Sequence, residues 1–89
     1  MNTKHTIGWN LRNLRVERGL SQERLALEAG IDRSYVGRVE RGEENVTVAT
    51  LEAFANVLSV GVVALFAEVD PKSGRPEPLR SGRKPKNAK

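Results

Sequence analysis

Between Thr6 and Phe66 the apolar positions recur at helical spacing, broken into helix-sized pieces by glycine and small polar residues. Ile7, Leu11 and Leu14 stand at i, i+4 and i+7 between Thr6 and Arg18, one stripe of an amphipathic helix. Gly19 follows, a residue suited to the left-handed position past a helix end. Ser21 occupies the N-cap position of a second helix whose inward face is Leu25, Ala26 and Ala29, closed by Gly30. Asp32 caps a third, about Arg33 to Arg41, with Tyr35, Val36 and Val39 as apolar positions and Gly42 as its end. Thr47 caps a fourth built on Leu51, Phe54, Ala55 and Leu58, and Ser59 a short fifth from Val60 to Phe66. No cap is followed three residues later by Glu or Gln, so no capping box reinforces these starts. VGVVALF is ambiguous between helix and strand by periodicity, and nothing else reads as a strand. The pattern predicts an all-α, compact five-helix domain over residues 7–69, led by a flexible segment 1–6.

From Asp70 the pattern stops. PKSGRPEPLRSGRKPKNAK has one large apolar residue, Leu79, and cannot bury enough surface to offset its ordering entropy. Residues 70–89 are expected to form a disordered basic tail. They change the meaning of the net charge of +4. Residues 1–69 hold 8 Lys/Arg against 9 Asp/Glu, a balance of −1, whereas the tail holds 7 against 2, a balance of +5. Bulk charge is therefore a poor argument that the folded part binds nucleic acid, and the placement of individual arginines has to carry it. SGRKPK within the tail faintly resembles a minor-groove AT-hook interrupted by Lys84; a generic basic arm and a solvated tail without a role are the other readings.

Composition narrows the chemistry. At 89 residues there is room for one small domain, and with 4% aromatics its core must be made of Leu, Val, Ile and Ala. Cysteine is absent, which removes disulfides, thiolate catalysis and cysteine zinc sites. His5 is the one histidine, so a histidine metal site or triad is not expected, nor any cofactor. No secretory signal or run long enough to span a membrane is visible, and a soluble, cytoplasmic protein is expected. No nucleophile–base set or phosphate-cradling glycine loop suggests an enzyme.

The informative stretch is SQERLALEAGIDRSYVGRVERG, Ser21 to Gly42. Two short helices are separated by Ala29, Gly30 and Ile31, a turn tight enough to cross them steeply. The second helix can then project and enter a DNA major groove. Arg33, Ser34, Gly37 and Arg38 share its outer side, opposite Val36 and Val39. A glycine inside a helix costs about 1 kcal/mol against alanine, so Gly37 suggests a close approach to the helix backbone.

These residues resemble the phage-repressor, or Xre-like, helix-turn-helix family. The resemblance extends through IGWNLRNLRVERGL and NVTVATLEAFANVLSVGVVALF, about Ile7 to Phe66. DRSYVGRVERGEENVTV is most similar to the controller proteins of restriction–modification systems. Two positions depart from the family pattern: Val46 stands where many members carry proline, and Gly37 where many carry serine. The resemblance implies a sequence-specific regulator of transcription that binds double-stranded DNA as a homodimer on a pseudo-palindromic operator, with contact to RNA polymerase where it activates. With no second domain in view, no small-molecule ligand is expected.

The resemblance also assigns roles. Gln22 would hold a phosphate; Arg33, Ser34, Tyr35 and Arg38 would face bases or nearby phosphates; Arg41 and Asn45 would anchor the far side of the groove. Arg15 and Glu40 would form a structural ion pair between the first and third helices. Val60, Val62, Val63 and Phe66 would either complete the core or pair two subunits, the family favouring the dimer. Glu43 and Glu44 read as solvated loop acids, and Trp9 as half-buried against the fifth helix or a partner subunit. The alternative function is a protein-binding adaptor or antitoxin-type module in which DNA is secondary.

Overall fold

The computed structural model describes residues 2–69, and the basic tail expected over 70–89 lies outside them. Among the described residues there are four α-helices and one 3-10 helix, with no strand. They are α1 (Thr3–Glu17), α2 (Gln22–Ala29), α3 (Arg33–Glu40), α4 (Val48–Leu58) and the 3-10 helix Val62–Phe66. The expected fifth α-helix is thus a 3-10 turn. None of these helices is long and apolar enough to cross a membrane.

Three of the expected caps hold their helix starts through side-chain bonds. Ser21 Oγ accepts from the Arg24 amide, Asp32 from the Ser34 amide, and Thr47 Oγ1 from the Thr50 amide. Two starts differ. α1 begins at Thr3, with Asn2 as its cap accepting from the His5 amide at 3.0 Å, so part of the segment expected to be flexible is helical. The His5 ring there closes on the turn after α3: a Cβ on Gly42 would stand 2.6 Å from its Cδ2. Ser59 caps nothing forward; at φ 58° it is the left-handed end of α4, and Gly61 precedes the 3-10 helix.

The core joins all five elements. Leu11 of α1, Leu25 of α2, Val36 and Val39 of α3, Phe54 and Leu58 of α4 and Leu65 of the 3-10 helix are all fully buried. Each such side chain contributes about 1.5–3 kcal/mol of burial, which is what fixes these short helices against one another. α1 packs on α3 and the 3-10 helix, and α2 on α3 and α4. The α1–α3 contact is unusually close at Gly8, where a Cβ would stand 2.7 Å from the Glu40 carbonyl oxygen and closer still to that of Val39. Asn10 ties down the C-terminal segment, donating from Nδ2 to the carbonyls of Leu65 (3.0 Å) and Ala67 (2.9 Å).

Candidate nucleic-acid interface

α3 is held from below and left open above. Val36 and Val39 bury its inner face in the core. At about 100° per residue, Arg33, Gly37, Arg41, Ser34 and Arg38 span an arc of about 140° on the other side. Gly30, at φ 72°, makes the turn from α2, and Ile31 follows it onto the core while its amide bonds the Ala26 carbonyl at 2.9 Å. That sequence of turn and plug is what presents the arc.

The base of α3 is fixed by charge. Arg15 Nε reaches Glu40 Oε2 at 2.6 Å and its Nη2 reaches Oε1 at 3.1 Å, a bidentate pair whose side chains are only 11% and 4% exposed. Arg15 Nη1 donates to the Leu20 carbonyl at 2.8 Å. Gln22 joins the same cluster, its Nε2 donating to Glu40 Oε1 at 2.9 Å. The side chain assigned to phosphate is therefore half-buried and engaged, tying the start of α2 to the end of α3.

The remaining site residues are placed as follows. Arg33 is exposed on the first turn of α3 and, among the described residues, takes part in no ion pair. Ser34 is exposed, but its hydroxyl donates to the Asp32 carboxylate. That bond holds the Asp32 carboxyl below its ordinary value, keeping a negative charge at the positive end of α3. Tyr35 packs its ring against the core and carries Arg38 over its face, Cζ lying 5.6 Å from the ring centroid. Asn45 is exposed in the α3–α4 loop. Gly37 is not open to a groove as the sequence suggested. It is covered, since a Cβ there would meet Arg41 Nη1 at 3.3 Å and Gln22 Oε1 at 3.7 Å.

The two loop acids are not simply solvated. Gly42, at φ 76°, turns the chain back along α3, so that Glu44 Oε2 meets Arg38 Nε at 2.6 Å and Glu43 Oε2 meets Arg41 Nε at 3.2 Å. The Glu44 hydrogen bond holds the Arg38 pKa above its ordinary value. Two of the three outward arginines thus carry acidic partners. The apolar group of the 3-10 segment divides as well. Val60 and Val62 are half-buried against the core, whereas Val63 is 78% and Phe66 43% exposed.

The helix-turn-helix family model HTH_3 matches residues 11–65. The control protein C.SmaI of Serratia marcescens is 43% identical over 66 residues, 74% of this chain and 79% of that protein. The immunity repressor protein of Bacillus phage phi105 is 40% identical over 63 residues, which span 71% of this chain but 44% of the repressor. The crystal structure of the restriction–modification controller protein C.AhdI from Aeromonas hydrophila superposes with a TM-score of 0.69 at 46% identity, covering 71% of this chain and 96% of that one. The chain belongs to the helix-turn-helix family of DNA-binding transcription regulators.

Proposed function

We propose that this protein binds a pseudo-palindromic operator as a homodimer, reading each half-site with α3, and that it regulates transcription in the manner of the restriction–modification controllers it resembles. The observation that carries the reading is the outward arc of Arg33, Ser34, Arg38 and Arg41 on a helix whose inner face is locked into the core. Arg33 and Arg38 read bases, each able to donate two hydrogen bonds to guanine O6 and N7. Ser34 and Tyr35 line the same side, and Arg41, Asn45 and an end of α2 at Gln22 lie against phosphates. The effect on transcription follows from occupancy in the cytoplasm, covering a promoter or contacting RNA polymerase beside one.

A fluorescence-anisotropy titration tests the reading, with duplex DNA from upstream of the protein's own coding region and a scrambled duplex of equal length. The wild type should prefer the upstream duplex. Arg33→Ala should lose about 1–3 kcal/mol of binding to that duplex and little to the scrambled one. An equal fall on both would make Arg33 a phosphate anchor and remove it as a reader.

The exposure of Val63 and Phe66 beside half-buried Val60 and Val62 supports the dimer. A two-fold pairing through this patch would set two α3 helices about 34–36 Å apart, one turn of DNA. Phe66→Lys should raise the dimer dissociation constant at least about tenfold in sedimentation experiments, a loss of about 1.4 kcal/mol. An unchanged constant would place the interface elsewhere.

A further inference from the structure

The guanidinium of Arg38 is confined on two sides before any DNA arrives. Its Nε edge is taken by Glu44 at 2.6 Å and one face lies over the Tyr35 ring. Among the described residues, neither terminal nitrogen has a hydrogen-bond partner. What remains free is the Nη1–Nη2 fork, one of the two-donor edges that matches the acceptors of guanine.

We propose that Glu44 is a specificity-determining residue, which holds Arg38 so that its terminal fork, and not its Nε edge, faces the bases. The proposal rests on α3 being the reading helix. Two physical effects combine. An arginine fixed in the free protein has less rotamer entropy to lose on binding, so a correctly placed guanine is favoured. A carboxylate beside the groove repels phosphates whatever the sequence, and the preorganised contact with that guanine is what offsets the cost. Glu43 has no equal claim. Its bond to Arg41 is 3.2 Å, and both side chains are more than half exposed, at 60% for Arg41 and 53% for Glu43, in the range where solvent screens such pairs.

A simple lock is the competing role for Glu44, in which the acid merely neutralises Arg38 until DNA displaces it. The two roles predict different mutants. A preferred duplex is first selected from a random pool by the wild-type full chain, and binding to it and to a scrambled duplex is measured by anisotropy at two salt concentrations. Glu44→Ala should tighten scrambled binding but not selected binding, lowering the ratio about tenfold, within what one guanine contact discriminates. Glu44→Gln, which keeps an acceptor for Arg38 Nε, should retain the ratio to within about threefold. Repeating the selection with Glu44→Ala should relax one guanine position in each half-site. Equal tightening on both duplexes would leave Glu44 as a lock and overturn the proposal, as would no change in either. If the wild type enriches no sequence at all, α3 is not a reader and both readings fall together. Circular dichroism melts of the variants guard against a trivial loss of fold.

Discussion

Replacing Glu40 with alanine should destabilise the domain by up to about 3–5 kcal/mol, the cost of leaving one member of a largely buried ion pair alone. The carboxylate receives donors from Arg15 Nε, Arg15 Nη2 and Gln22 Nε2, and it is 4% exposed. Without it the Arg15 guanidinium keeps the Leu20 carbonyl but has no counter-charge in a site where it is 11% exposed. Domains carry about 0.05–0.15 kcal/mol of stability per residue, so roughly 70 folded residues amount to about 3–10 kcal/mol in all. The substitution should therefore remove a large share of the domain's stability. Urea unfolding followed by circular dichroism measures this directly. Arg15→Met combined with Glu40→Leu should recover much of the loss, because an apolar pair of similar volume needs no desolvation of charge. If Glu40→Ala shifts stability by less than about 1 kcal/mol, the pair behaves as a surface bridge and α3 is held by its apolar face alone.

The same pair shows what a sequence can and cannot carry. Arg15 and Glu40 were legible only through the family resemblance, since nothing in their spacing brings residues 25 apart together. The helices were legible because their signals are local. Ser21, Asp32 and Thr47 cap as their positions suggest, and the stripes at Leu25–Ala26 and Leu51–Phe54–Leu58 are buried. α1 was expected to start late because its first turn, Thr3 to Thr6, is polar and the apolar stripe begins at Ile7; Asn2 was the available cap signal. Ser59 was misread for a related reason. Serine is a good N-cap by type, yet here it takes a left-handed φ of 58° that glycine more often supplies, so it ends α4 instead of opening a helix.

The site was half legible. The outward arginines follow from 3.6-residue periodicity once α3 is placed. Their acidic partners do not, because Glu43 and Glu44 reach back only after Gly42 has turned the chain. As loop acids they read as solvated. The geometry gives Glu44 a bond to an arginine instead. Asn10 and Leu65 were passed over for a similar reason: a polar residue on a helix, or one apolar residue in an ambiguous run, has no local mark of the partner it meets.

Gly8 and Gly37 are the strongest case, since the same substitution should have opposite effects at the two sites. In an isolated helix either glycine replaced by alanine would gain about 1 kcal/mol from propensity. At Gly8 the new methyl would stand 2.7 Å from the Glu40 carbonyl oxygen and nearer to that of Val39, both backbone atoms at the end of α3. Neither can move without lifting α1 from the helix it supports. Overpacking costs typically about 1–3 kcal/mol, and a backbone obstacle belongs at the upper end, so the clash outweighs the propensity gain. Gly8→Ala should therefore unfold at lower urea than the wild type and bind DNA less tightly, because the carbonyls it displaces close α3, the helix proposed to read DNA. At Gly37 the obstacle is Arg41 Nη1 at 3.3 Å, the far end of a flexible side chain that can swing aside. Gly37→Ala should keep most of its gain of about 1 kcal/mol while weakening DNA binding, since the methyl displaces an arginine from the outward arc. Parallel urea titrations and anisotropy measurements separate the two. A Gly8→Ala protein more stable than the wild type would mean that α1 yields freely, and the close contact with α3 would then contribute little to holding α3 in place.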